Sequence, residues 1–260
     1  MDTIWITGAS SGIGRSLALE YSKKKVNLIL SSRNKAKLEG LKEQMGNPSR
    51  VRVLPLDLTQ PDTFPERVSQ AREFFGAIDV MIHNGGISQR SLASETQLKV
   101  DRMIFETNYF GTVGLTKCLL PLFKEQGSGH FVVITSVVGK FGTPLRSSYS
   151  GSKHALHGFF DSLRAELHEE NIKVTLICPG FVNTDVSINA LTGDGSRQDK
   201  MDKATKAGLS PDDFAIRAIR AISREKREVV ISGIPEKFAV LVKRFFPGLH
   251  ARLIHRAAVT

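Results

Sequence analysis

The sequence predicts an α/β fold: a doubly wound, mostly parallel seven-stranded sheet in a single domain. Three observations predict it. Short apolar runs alternate with longer amphipathic stretches from end to end, most of those runs are continuous rather than alternating, and the first one feeds a glycine-rich turn. A strand with helices on both sides must offer apolar side chains to both, so it reads as an unbroken run. Strand–helix alternation with right-handed crossovers makes the strands parallel and gathers their carboxyl ends at one edge, where such sheets bind ligands.

The runs at 3–7, 26–31, 51–56, 80–83, 131–135, 174–178 and 229–232 are rich in Val, Ile and Leu and are assigned as strands. Helices are expected at 14–24, 35–45, 62–75, 96–126, 147–169 and 211–223, where apolar residues recur at helical spacing. One stretch, 185–210, is polar, carries Gly193, Gly195 and Gly208, and lacks periodicity. So long an irregular segment in a compact domain reads as a substrate lid loop, or else as a surface insertion. Residues 1–233 then form a dinucleotide-binding and catalytic domain, and 234–260 a basic amphipathic extension.

Composition narrows the function classes. Cys118 and Cys178 are the only cysteines and sit in apolar surroundings, which excludes a disulfide framework and suits a reducing compartment. The first strand begins at once, leaving no room for a secretory leader, and no apolar window spans a bilayer, so a cytoplasmic protein is expected. The net charge is +10, but Lys and Arg are scattered among acids rather than clustered, which argues against nucleic acid. No His, Cys and carboxylate residues stand at metal-ligand spacing, so no metal is expected.

The first strand ends in Gly8, Ala9, Ser10, Ser11, Gly12, Ile13 and Gly14, and a helix follows. Gly8 permits the sharp exit, Gly12 lets backbone approach a pyrophosphate, and Gly14 permits close packing of helix on strand. The helix N-terminus presents unpaired N–H groups and partial positive charge to the phosphates. About 20 positions beyond such glycines, an acid would bind a free ribose 2′-hydroxyl. Here the second strand ends Ser31-Ser32-Arg33 with no carboxylate, and Arg33 offers a guanidinium to a 2′-phosphate. Arg15 is a candidate second cation. NADP(H) is therefore the expected cofactor. Asp57, at the end of the third strand, either accepts from the adenine amino group or caps the following turn.

Tyr149 and Lys153 lie four apart at the start of a long helix and share one face. A free tyrosine titrates near ~10, too high for proton transfer at neutral pH, and a neighbouring ammonium favours the phenolate. The same lysine has donors for ribose hydroxyls. Ser136 directly follows the fifth strand, where its hydroxyl can hold a substrate oxygen beside the tyrosine.

With these residues in place the sequence resembles the short-chain dehydrogenase/reductase family, a Rossmann-fold family, over residues 3 to about 233. The turn from Thr7 to Gly14, Asp57, Asn84, Asn108, Ser136, Tyr149, Lys153 and the segment 179–184 match its motifs. The resemblance implies that Asn108 holds a helix kink and a water in a proton relay from Lys153. It implies that Leu58 and Asn84 belong to the cofactor site, and that Pro179, Gly180, Val182 and Thr184 embrace the nicotinamide carboxamide. Hydride would pass between nicotinamide C4 and the substrate carbon while Tyr149 exchanges the proton. One departure is His83-Asn84-Gly85-Gly86 where the family has Asn-Asn-Ala-Gly; that motif braces the sheet, and His83 reads as a core histidine. The stretches 86–92, 115–118 and 152–160 are similar to the SDR family member 7 and 7B group, whose substrates are apolar carbonyls or alcohols.

The resemblance thus implies an NADP(H)-dependent oxidoreductase for a small lipophilic carbonyl or alcohol. Two alternatives stand beside it: a 3-ketoacyl or 3-ketosphinganine-type reductase at a membrane surface, and a non-catalytic NADP(H)-sensing or scaffold protein. A homodimer or homotetramer is expected through the helices at 96–126 and 147–169, the first of which carries more apolar residues than one stripe needs. From Lys237 to Thr260 there are five cations (Lys237, Lys243, Arg244, Arg252, Arg256) and no acid, and Phe238, Leu241, Val242 and Phe245 fall in one stripe. Such a tail suits peripheral contact with an anionic membrane; the alternatives are that it packs on the body, closes the pocket or joins subunits.

Overall fold

A computed structural model shows the architecture and describes residues 1–255. The seven strands are β1 (Thr3–Thr7), β2 (Asn27–Ser31), β3 (Val51–Val53), β4 (Val80–His83), β5 (Gly129–Ile134), β6 (Ile172–Pro179) and β7 (Glu228–Ile231). Every pairing is parallel, in the order β3-β2-β1-β4-β5-β6-β7, so the sheet is doubly wound with its switch point between β1 and β4. The helices are α1 (Gly12–Ser22), α2 (Lys35–Lys42), α3 (Phe64–Phe75), α4 (Leu98–Phe105), α5 (Gly111–Gln126), α6 (Ser147–Glu166), α7 (Lys203–Lys206), α8 (Pro211–Ile222), α9 (Ile234–Phe245) and α10 (Pro247–Ile254).

The continuity of the apolar runs has the cause expected of it. Along β1, Ile4 and Ile6 join one core with Leu17, Leu38 and Phe214, and Trp5 joins the other with Phe123, Phe131 and Phe160. Successive side chains point to opposite faces, and both faces are buried.

Boundaries moved where local chemistry overrides the pattern. Pro55 has no N–H, so β3 ends early, although the Leu54 and Leu56 N–H groups still reach the carbonyls of Leu30 and Ser32. The helix expected at 96–126 is two, α4 and α5, joined by a π-turn at Glu106–Phe110 that contains Asn108. The extra apolar residues of α5 are consumed within the chain: Val113, Leu115, Leu119, Leu122 and Phe123 are all buried. Cys118 is half-buried rather than buried; both thiols are free. Segment 185–210 is tied down by bridges from Leu191 to Gln89 and Arg197 and by the short helix α7.

Phe131 sits between the Phe123 ring, 4.7 Å away, and His83, 6.1 Å away. Phe131→Ala should lower the unfolding free energy by about 3–5 kcal/mol in chemical denaturation. Lys117→Ala, on the exposed side of α5, should change it by no more than about 0.5 kcal/mol.

Candidate active site

All the sequence-derived residues lie at one edge of the sheet because all strands end there. The turn after β1 carries Gly8 and Gly12 at φ 63° and 50°, the left-handed region. A Cβ on Gly14 would stand 2.3 Å from the Gly8 carbonyl oxygen, so helix and turn touch backbone to backbone. Ser11 is the N-cap of α1, its side chain makes no capping bond, and the first turn holds no acid. That leaves N–H groups and dipole available to an anion. Ser10 and Ile13 are half-buried beside it.

Asn84, at the end of β4, serves this turn from across the switch point. Its Nδ2 donates to the carbonyls of Thr7 (3.1 Å) and Gly8 (3.2 Å), while its backbone N–H donates to Thr7 Oγ1 (3.1 Å). Thr184 reaches the turn from the other side: a Cβ on Gly12 would lie 3.1 Å from its Cγ2. Between them, Pro179 ends β6, the Gly180 N–H donates to Ile231 O (3.0 Å), and Val182 is buried. A side chain on Gly180 would meet Ser232 at 2.4 Å.

Arg33 is exposed directly after β2, before the α2 N-cap Asn34. Arg15 is engaged elsewhere, donating to Gln44 Oε1 at 2.7 Å. Asp57 caps the turn that follows it, Oδ1 accepting from the Thr59 N–H (3.0 Å) and hydroxyl (2.8 Å). Leu58 fills the space that Gly85 and Gly111 leave open.

Asn108 is held at the π-turn with both ends of its amide bonded to Ile87, Oδ1 from the N–H (2.8 Å) and Nδ2 to the carbonyl (2.9 Å). Nδ2 also donates to Ser152 Oγ at 3.1 Å. Gly86 lies between Asn108 and Lys153, where a Cβ would approach Oδ1 to 3.0 Å and Nζ to 3.6 Å.

The buried Lys153 ammonium donates to Ile134 O at 3.0 Å, and burial pushes its pKa down to about 8. Ser136 accepts from the Val138 N–H at 3.3 Å and hydrogen-bonds the Tyr149 hydroxyl. Burial raises the Tyr149 pKa; the Ser136 bond, then the charges of Arg90 and Arg146, oppose the rise. The lysine's Nζ stands 5.8 Å from the tyrosine ring centre.

Those two arginines escaped the sequence reading. Arg90 is paired with Asp202 (Nη2–Oδ2 2.6 Å), Arg146 lies 3.5 Å from the same carboxylate, and all three are buried. Arg90 and Asp202 are 112 residues apart, so no local pattern signals the pair. Gln89 was missed as well: its Oε1 accepts from the Ser148 and Tyr149 N–H groups, capping the helix that carries the tyrosine. A cavity of about 380 Å³ opens over Ser136 and Tyr149, walled by Val137, Phe141, Phe181 and Ala239, with Arg90 and Arg146 at its edge.

Away from this centre, His83 is buried with Nε2 2.9 Å from Thr116 Oγ1, and burial pushes its pKa down to about 3. The fold also assembles His157, Cys178 and Glu228, three groups with no ligand spacing in the sequence, with candidate ligand atoms within 4.8 Å of one another. The Glu228 carboxylate there already holds Lys140 Nζ at 2.5 Å, and burial raises the Cys178 thiol to about 11.

A family model, short chain dehydrogenase, matches residues 2–194. The chain belongs to the short-chain dehydrogenase/reductase family. It is 41% identical over 261 residues to the Drosophila melanogaster "Dehydrogenase/reductase SDR family protein 7-like", covering 98% of this chain and 80% of that one. With the Mus musculus "Dehydrogenase/reductase SDR family member 7B" it shares 41% over 254 residues, 96% of this chain and 79% of the other. A short-chain dehydrogenase/reductase from Burkholderia phymatum in complex with NAD superposes with a TM-score of 0.83 at 20% identity, covering 100% and 96% of the two chains. The closed form of serine dehydrogenase complexed with NADP+ gives 0.81 at 23%, covering 90% and 95%. At these identities the structural likeness speaks for the fold. Membership makes the chain an oxidoreductase acting on CH–OH groups with an NAD(P)(H)-binding fold. The turn fits that cofactor: at Gly12 a side chain would intrude on the space between the turn and Thr184, and the uncapped α1 N-terminus offers N–H groups to a pyrophosphate.

The depressed Lys153 pKa sets a pH test. An unfolded lysine titrates near 10.5, the buried one near about 8, so between these values the unfolded chain holds the extra proton and stability rises with pH. Relative to Lys153→Met, the wild type should gain about 1 kcal/mol per pH unit across that window in denaturant titrations. Parallel profiles would show the ammonium to be solvated.

Proposed function

We propose that the chain is an NADP(H)-dependent oxidoreductase that interconverts a carbonyl and an alcohol on a small lipophilic substrate. The observation that carries this is the placement of Ser136 and Tyr149, hydrogen-bonded to each other, on the floor of a largely apolar cavity. Ser136 orients the substrate oxygen, and Tyr149 gives it a proton on reduction or takes one on oxidation. When bound, the nicotinamide supplies or accepts the hydride. Behind the tyrosine, Lys153 and Asn108 flank Gly86, and Asn108 donates to Ser152, whose hydroxyl donates to the Tyr149 carbonyl, so both are placed to serve a proton path. Apolar walls favour a lipophilic substrate and exclude water.

The preference for NADP(H) rests on Arg33, exposed after β2 at the place where an acid would select a free 2′-hydroxyl. Glycines 8, 12 and 14 with the α1 N-terminus would hold the pyrophosphate, and the segment from Pro179 to Thr184 the nicotinamide end.

Tyr149→Phe keeps the ring and loses the transferable proton. In a screen of carbonyl compounds followed by NADPH absorbance, its turnover should fall by about 10²–10⁴ while NADPH binding, read by fluorescence titration, stays unchanged. Retained turnover would overturn the role of Tyr149. Arg33→Asp should weaken NADPH by about tenfold or more and improve NADH, since a carboxylate repels the 2′-phosphate. A wild type that prefers NADH in paired titrations would refute the reading of β2.

A further inference from the structure

The C-terminal helices α9 and α10 have two faces, and only one is used by the body of the protein. Ala239, Val240 and Ile254 pack on Val137, Val138 and Phe141, and His250 lies against the Phe141 ring at 5.0 Å. Val242 is buried too, so of the expected stripe it alone turns inward. Ile234, Phe238, Leu241 and Phe245, at i, i+4, i+7 and i+11, form the other face of α9 and are 83%, 63%, 56% and 68% exposed. Leu249 and Leu253 repeat the pattern on α10, and Phe246 stands exposed between the helices. Among the described residues, seven of the fourteen exposed large apolar side chains fall in this one stretch, which makes it a patch rather than ordinary scatter. The two helices share it: Phe238 and Leu253 line one cavity of about 170 Å³.

The charge around the patch is of one sign. Lys237 and Arg244, seven apart, run along one edge of the α9 stripe, with Lys243 and Arg252 nearby in sequence. No acid occurs from Lys237 to His255. Glu236, the one acid of α9, is turned inward, its Oε1 accepting from the Phe181 N–H at 3.5 Å and the residue lining the catalytic cavity. Arg256, the last of the five cations, lies outside the described residues.

We propose that this face docks on the surface of an anionic lipid bilayer, α9 and α10 lying in the interface with their outer side chains among the acyl chains. An aromatic and aliphatic stripe bordered by Lys and Arg is the composition of an interfacial helix, and anionic headgroups supply the opposite charge. A second copy meeting this face through a two-fold axis would instead set its cations against the same cations. The placement has a use. Pro235, Glu236, Ala239 and Ile254 of these helices also wall the cavity over Tyr149, so docking brings that cavity beside the membrane, where lipophilic compounds concentrate. Docking itself requires no turnover and stands or falls apart from the reaction proposed above.

Sedimentation of the full chain with vesicles tests it. Pelleting with mixed phosphatidylcholine–phosphatidylserine vesicles, weakened by added salt, is expected, with little pelleting on phosphatidylcholine alone. The triple variant Phe238→Ser, Leu241→Ser, Phe245→Ser and the pair Lys237→Glu, Arg244→Glu should each lower binding to mixed vesicles by about tenfold or more. Circular dichroism and thermal melting check that both remain folded, and the charge pair alone decides if the triple variant does not. No binding to mixed vesicles, equal binding to both kinds, or a dimer in light scattering that the triple variant splits without any vesicle binding would overturn the proposal.

Discussion

A parallel sheet buried on both faces is the constraint from which the rest of this molecule follows. Parallel strands cannot be joined by hairpins, so each must return through a crossover, and the crossover helices cover both faces. Because every pairing is parallel, every strand's carboxyl end lies at the same edge, and the handedness of the crossovers decides which face each helix covers. Gly8, Arg33, Asp57, Asn84, Ser136 and Gly180 follow six different strands, yet all arrive at one rim. Where the order reverses between β1 and β4, Asn84 bonds directly to the glycine turn and fixes the two loops to each other.

Within that frame, precision comes from places where side chains are absent. Gly14 meets the Gly8 carbonyl, Gly86 passes between Asn108 and Lys153, and Gly180 lies against Ser232, each at a distance that no Cβ tolerates without displacement. Polar groups freed by irregular backbone are met by single amides. Asn84 bonds the turn after β1, Asn108 bridges the π-turn to Ile87, and Gln89 caps α6. Each is a long-range contact that fixes a loop against its neighbour, which is why the loops can hold reacting groups in register.

The electrostatics around Tyr149 are richer in cations than a lone lysine. Lys153, Arg90 and Arg146 are all buried near it, with Asp202 the carboxylate placed between the two arginines. Burying charge is costly unless it is paired, so Asp202 anchors the 185–210 segment as well as neutralising its partners. The tyrosine's rise from burial is opposed by Ser136 and by these two arginines. Segment 185–210 is thereby bound to the catalytic wall by an ion pair.

How much of this was legible in the sequence depends on the range of the interaction. Strand and helix periodicity, the spacing of Gly8, Gly12 and Gly14, and the four-residue step from Tyr149 to Lys153 are local, because backbone geometry converts sequence distance directly into space. The sequence alone therefore determined the fold class, the glycine turn before α1 and the shared face of α6 that carries Tyr149 and Lys153. Which groups meet across long separations is a property of packing: Arg90 with Asp202, Gln89 with the start of α6, and His157 with Cys178 and Glu228 carry no signal until the chain closes. The stripe at 238–245 read the same whether it packed inward or faced out. Only the tertiary structure decided that, by turning Val242 to the body and leaving Phe238, Leu241 and Phe245 outside, since the side a helix presents depends on what it packs against.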